Sequence, residues 1–461
     1  MITIESPVTE ANHNGRDSRL RIGPALAVAL AIVALGARFF LVISKYSVNV
    51  FFFDQWDFLS PFFHQQSSIA ELFFLQPGIQ REGIGLFADK FLYPLTHWNA
   101  RTDPFFIGAC LFAAMLLALR LKCKLYGPLS YSDVAIPAIF LTLAQFEVVF
   151  NAPNPAYSGL PMLMMLLYCV ALLGRNRLLS YVLALSLNFL LIYTGYGLFM
   201  GAITLGVFLL ECYWSWRHMT SVPFGQALAG LGVAAASLAS FFVHYQPLAG
   251  ADCFEIPHRH LLLQYPRFMA LMFSTFVVPR PFLLSSGVTM LGVTILIVLG
   301  AVFCLHLLHL LKSPRPASHL IGAILVSFSL LFAASAAVGR LCLGPYAAFT
   351  SRYCTLLIPA FLAIYFYLLS KSWRGMRNLI LVLWVILLLP AAIFLPRMNI
   401  HWFADGKRNW ANCYVRTENI RYCDQSTNFV IYPHPEQTGL QQKLDYLEQH
   451  RLNLFAEPAP K

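Results

Sequence analysis

Residues 287–311 and 378–396 are long apolar runs that carry hardly a charge. A helix needs about 20 consecutive apolar residues to cross the hydrocarbon core of a bilayer. Inside that core every backbone N–H and C=O has to be satisfied within a helix or a closed barrel. Several such runs in 461 residues therefore restrict the chain to a helical bundle in lipid. A membrane barrel would read as short alternating segments, and the sequence shows none. Composition agrees: 58% of the residues are hydrophobic and 11% charged, too little charge to cover a water-soluble surface.

Eleven segments qualify as spans: 23–44, 104–120, 133–150, 157–174, 178–194, 196–213, 224–243, 287–311, 318–338, 353–370 and 378–396. The fold class this predicts is an all-α polytopic membrane protein, residues 1–396, followed by a small polar tail, residues 397–461. The apolar stretch Ile22–Ile43 follows a polar start. It is too long for a signal-peptide core, lacks a small-residue cleavage site and reads as an uncleaved signal anchor.

With the N-terminus in the cytoplasm, the short cytoplasmic connections hold Arg16, Arg19 and Arg21; Arg120, Lys122 and Lys124; Arg175 and Arg177; Arg217; Lys312 and Arg315; and Lys371, Arg374 and Arg377. The positive-inside rule asks for this distribution. It holds only if residues 266–286, interrupted by Arg267, Pro279, Arg280 and Pro281, do not cross; they read as re-entrant or surface-lying. The expected location is a bacterial cytoplasmic (inner) membrane, with the tail outside. The net charge of +11 is accounted for by these loops, and no compact basic domain suggests nucleic acid as a partner.

The tail, with Leu440, Leu444 and Leu447 at helical spacing, predicts a short amphipathic helix, and Asn428–Tyr432 a strand ending at Pro433, so a small α/β unit. Cys413 and Cys423 would lie in an oxidising compartment, where a disulfide between them competes with two free thiols. Cys110, Cys169, Cys212 and Cys304 sit in apolar runs and read as small core residues. Gly197 and Gly201 match Gly-x-x-x-Gly, a pattern of simple helix packing.

Three outside connections remain: 45–103, 244–265 (with His244, Asp252, Glu255, His258, Arg259 and His260) and 339–352. The first is too long for a mere linker. It opens with Asp54-Gln55-Trp56-Asp57 after three phenylalanines. On one helical turn the two carboxylates would project to one side. Aromatic surroundings would raise a carboxylate's pKa and nearby arginines would lower it, a setting for a general base or a metal ligand. The bland reading is an interfacial anchor with acids facing water. Gln80-Arg81-Glu82-Gly83 and His97-Trp98-Asn99-Ala100-Arg101 flank an amphipathic helix, Ile84–Leu95, expected to lie on the membrane surface. Arg81 and Arg101 suit either a phosphate or a lipid headgroup. Arg340 and Arg352 flank a glycine-containing connection at a membrane boundary, where unpaired charge is costly. A carboxylate base together with arginines suits attack of a hydroxyl on a phosphate-activated donor.

In three places the chain resembles the GT-C superfamily of membrane glycosyltransferases: the Asp-x-Trp-Asp start of the first outside loop, the element Gln80–Gly83, and Gly339-Arg340 with Ser351-Arg352-Tyr353. The outside tail ending near Arg451–Phe455 extends the likeness over most of the chain. Gln80 stands where the pattern has histidine. The resemblance implies an inverting transfer of a sugar from a polyprenyl-phosphate-linked donor to a glycan, lipid or protein acceptor of the cell envelope. Asp54 would be the base, with Asp57 supporting it or exchanging roles. Arg81, Arg340 and Arg352 would contact the donor phosphate, and Trp56, Glu82, Arg101 and Tyr353 would line the substrate. No second dense acidic cluster calls for a metal, and no cofactor is assigned. A flippase for a lipid-linked sugar, with the break at Asn151–Pro155 as a candidate broken helix that has no counterpart in the other half, and a non-catalytic scaffold are the competing readings.

Overall fold

A computed structural model describes residues 17–63, 68–76, 78, 80–220, 222–246, 262–279, 286–313, 317–436 and 438–456. Arg16, Asp252, Glu255, His258, Arg259, His260, Arg280, Pro281 and Arg315 lie outside these residues. The described chain is helical throughout, without a strand. The principal helices are α1 (Asp17–Tyr46), α2 (Gly83–Leu95), α3 (Thr102–Tyr126), α4 (Gly159–Leu172), α5 (Arg177–Ile192), α6 (Leu198–Trp216), α7 (Phe224–Phe241), α8 (Gln264–Val277), α9 (Ser286–Lys312), α10 (Ala317–Arg340), α11 (Cys354–Leu369) and α12 (Arg374–Ile393). The tail adds α13 (Arg397–Thr417), α14 (Ile420–Thr427) and α15 (Leu440–Gln449).

Eight helices among the described residues are long and apolar enough to cross a membrane. They correspond to the expected spans beginning at 23, 104, 196, 224, 287, 318, 353 and 378. The expected spans 157–174 and 178–194 are helices of 14 and 16 residues, shorter than an untilted crossing asks.

The expected span 133–150 is not a continuous helix. It is a chain of short pieces, Tyr131–Val134, Ala135–Phe140, Leu143–Gln145 and Glu147–Phe150. Thr142 turns its side chain onto the Ala144 N–H, which ends one piece and starts the next. Pro153 and Pro155 then bias the residues before them away from the helical region, and Asn154 is extended at φ −143°, ψ 115°. The apolar run foretold burial, and Ile136, Ile139, Phe140, Leu141 and Leu143 are all buried. Irregular backbone in a membrane is tolerated where protein covers it. At one end of the traverse Lys122 pairs with Asp133 at 2.7 Å. At the other, Asn154 donates to Glu82 in the first long loop.

Residues 266–277 form most of α8, which packs inward rather than lying on a surface. Phe268 and every residue from Ala270 to Val277 are buried, and Phe276 stacks on Phe361 of α11 with centroids 4.1 Å apart. The helix expected at Ile84–Leu95 is α2. It buries Leu86, Asp89 and Tyr93 and exposes Phe87, Phe91 and Leu95 on its other side.

The tail corrects two expectations. Asn428–Tyr432 is not a strand. Its burial alternates, with Phe429 and Ile431 inside and Val430 outside, but no neighbouring strand supplies a ladder. The Ile431 carbonyl instead accepts a single bond from Phe53 N–H at 3.0 Å. Nor is the tail separate from the first 396 residues in its packing. Trp410, Tyr414, Leu440, Leu444 and Leu447 share one apolar cluster with Phe51, Trp56 and Tyr93 of the first loop. Neither segment has enough apolar surface for a core of its own, and each covers the other. Within the tail Cys413 and Cys423 form the expected disulfide, Cα–Cα 5.6 Å.

Candidate active site

The acidic turn is built from its flanks. Phe51 and Phe52 are buried, and Phe52 stacks on Phe429 of the tail. Phe53 sits at φ 53°, in the left-handed region that a bulky residue avoids. The chain thereby reverses into the single helical turn Gln55–Phe58, with Asp54 at its N-cap. The Asp54 carboxylate makes no capping bond of its own. Such backbone strain collects at functional sites because the surroundings must over-determine it.

Asp54 is accessible to solvent, yet enough protein surrounds it to raise its carboxyl above the ordinary value of 3.8. Desolvation is the largest cause of the rise. The Arg352 charge opposes it, Asp57 adds to it and Arg340 again opposes it. The fold thus brings Asp54, Asp57, Arg340 and Arg352 within electrostatic reach of one another, although the last two come from the far side of the sequence.

Glu82 is within electrostatic reach of Asp54. It is 3% exposed and accepts the Tyr157 hydroxyl and, at 2.8 Å, the Asn154 amide. Burial pushes Glu82 up to about 7; the two hydrogen bonds pull it down and the Asp54 charge adds to the rise. Gly83 is required beside it. A Cβ there would sit 1.8 Å from the Phe73 carbonyl oxygen.

The tail closes another side. The Tyr432 hydroxyl donates to Asp57 Oδ2 at 2.8 Å. Lys443 of α15 donates to the Trp56 carbonyl at 2.6 Å. Burial lowers the Lys443 pKa, and the Asp57 charge opposes that shift. On the late-loop side, the backbone N–H of Arg352 donates to Glu147 Oε2 at 3.3 Å, and Ser351 Oγ accepts the Glu147 N–H at 3.0 Å. Tyr353 is buried edge-on against Phe332.

Three residues expected to touch substrate have other work here. Arg81 directs its Nε to the Phe241 carbonyl at 2.8 Å and its terminal nitrogens to Phe74 and Val243, so it straps the end of α7 to the first loop rather than presenting a fork to a phosphate. Arg101 donates to the Ser44 carbonyl at 3.0 Å and caps the end of α1. Trp56 is fully buried, edge-on to Phe51 at 5.5 Å, and is a core side chain. In each case an apolar or cationic side chain was claimed by nearby carbonyls or aromatics that a local pattern does not display.

Conversely, Asn154, Tyr157, Glu147, Tyr432 and Lys443 were not singled out. Glu147 carried a signal, being an acid inside an apolar run. Asn154 lies in the Asn151–Pro155 break, which delivers its side chain to Glu82. Among the described residues no group of three or more His, Cys, Asp or Glu is arranged to hold a metal ion. Chemically, these residues offer a carboxylate of raised basicity, a second carboxyl near neutrality and two guanidinium groups for an anionic oxygen pair. Compared with models of known families, with curated proteins and with solved structures, the chain matches none.

Proposed function

We propose that this chain is a membrane glycosyltransferase that moves a sugar from a polyprenyl-phosphate-linked donor to a hydroxyl-bearing acceptor. The observation that carries the proposal is an exposed Asp54 within electrostatic reach of Arg340 and Arg352. In this reading Asp54 takes the proton of the attacking acceptor hydroxyl. The hydroxyl oxygen bonds to the anomeric carbon as the sugar–phosphate bond breaks, with inversion. The lipid phosphate leaves with the bonding electron pair, and Arg340 and Arg352 stabilise its charge. Asp57, held by Tyr432, keeps the turn in register. In this reading these groups lie on the extracytoplasmic side, with the basic loops in the cytoplasm.

The test uses the purified protein in lipid vesicles with a polyprenyl-phosphate-linked sugar. Acceptor-dependent release of polyprenyl phosphate supports the proposal. A flippase of the same lipid would move it across the bilayer uncleaved, and that result would exclude transfer.

A further inference from the structure

Beneath the acidic turn lie two carboxyls that the reading above leaves without a role. Asp89 on α2 and Asp103 in the first turn of α3 are both fully buried. Asp103 Oδ2 accepts the Tyr93 hydroxyl at 2.6 Å and the Gln55 amide at 3.2 Å. The other end of that amide, Gln55 Oε1, accepts the Phe52 N–H at 3.1 Å. The residue next to Asp54 is therefore fixed at both ends of its side chain, one end through Asp103. Neither Asp89 nor Asp103 takes part in an ion pair among the described residues.

Two neighbouring buried carboxyls without a cation cannot both ionise. Their surroundings decide which keeps the proton. Asp103 stands at the positive end of a helix and already accepts two donors, both of which favour its anion. Asp89 sits inside α2, where no N–H or hydroxyl donor reaches either oxygen and its side-chain partner is the Asp103 carboxyl. Burial pushes Asp89 well above the ordinary carboxylate range, and the Asp103 charge adds to the rise. The titratable neighbours are Tyr93 from α2 and Asp103 from α3; the acidic turn contributes the neutral Gln55.

We propose that Asp89 is a standing carboxylic acid that donates its proton to the Asp103 carboxylate, and that the chain Asp89–Asp103–Gln55 is a positioning device for the turn bearing Asp54 and Asp57. Its consequence for turnover rests on the transferase reading; its protonation does not. Neither residue touches substrate. Asp103 acts through Gln55, and Asp89 acts through Asp103.

Three variants test this in the full-length protein in detergent. Asp89→Asn keeps a donor toward Asp103 and cannot ionise. Asp89→Leu keeps the burial and removes the donor. Asp103→Asn places an amide where donors converge. At mildly alkaline pH the wild type shows the infrared carbonyl band of a protonated carboxylic acid, and Asp89→Asn lacks the Asp89 part of it. Asp89→Asn melts like the wild type and keeps transfer within about threefold, whereas Asp89→Leu and Asp103→Asn lose more than about tenfold in kcat with little change in donor KM. An unchanged band in Asp89→Asn, an Asp89→Asn as impaired as Asp89→Leu, or full activity in Asp103→Asn overturns the proposal. Band and melting need no substrate. A wild type without transfer that still shows both would sink the transferase reading and leave the proton assignment standing.

Discussion

Tyr432 donates its hydroxyl to Asp57 Oδ2 at 2.8 Å, so a residue near the end of the chain holds one of the two acids that follow the first helix. Burial and the Asp57 bond both raise the Tyr432 pKa, which keeps the donor protonated at neutral pH. Removing it by Tyr432→Phe costs about 1 kcal/mol of tail docking, the ordinary net worth of such a bond. Thermal unfolding in detergent checks this: the variant melts a few degrees lower, and an unchanged midpoint would show that the bond carries no weight.

Glu82 gives a pH signature. Its carboxyl titrates at about 7 in the folded chain against an ordinary 4.5. The folded state therefore binds more protons between these values, and stability falls as pH rises from about 4.5 to about 7. The associated loss is on the order of 3 kcal/mol. Glu82→Gln removes the group that titrates, so melting midpoints across this window should flatten. A slope as steep as the wild type's would place the titration elsewhere.

The Cys413–Cys423 disulfide closes a short loop, with a sequence separation of 10. A loop of that size contributes about 3 kcal/mol through the entropy of the unfolded chain. Replacing both cysteines by serine should leave the membrane helices inserted and expose the tail to limited proteolysis at lower temperature. Equal protease resistance with and without the bridge would refute this.

Arg352→Lys keeps the charge and loses the planar fork. The donor KM should rise about tenfold, roughly 1.4 kcal/mol, with a smaller change in kcat. Arg421→Lys is the control, because Arg421 is exposed and paired with Glu436 in the tail. Equal effects of the two substitutions on donor KM would count against a phosphate at Arg352.

The sequence was most informative where one property repeats over many residues. The uninterrupted apolar runs of α9 and α10 gave those helices and their extent. The chain from Tyr131 to Tyr157 was equally apolar, and its breaks depend on a Thr142 side chain bonding its own backbone, which hydropathy does not register. Phe429 and Ile431 showed a period of two, but a strand also needs a partner, and none adjoins them among the described residues. At the site, Asp54, Asp57, Arg340 and Arg352 stood out as charges at apolar boundaries, and the fold brings them together. Arg81 looked equivalent and is occupied by three carbonyls, one from its own loop and two from the distant end of α7. Asp89 and Asp103 drew no attention because single acids in an amphipathic stretch ordinarily face water, whereas the tail and the first loop bury these two together.

The central claim is that Asp54 is the base. The direct measurement is acceptor-dependent release of polyprenyl phosphate by purified Asp54→Asn and Asp57→Asn proteins, each checked for normal insertion and melting. Asp54→Asn should lose release by at least about a thousandfold, within the range for removing a general base, while Asp57→Asn retains a measurable fraction. Wild-type release from an intact, well-folded Asp54→Asn protein would contradict the assignment.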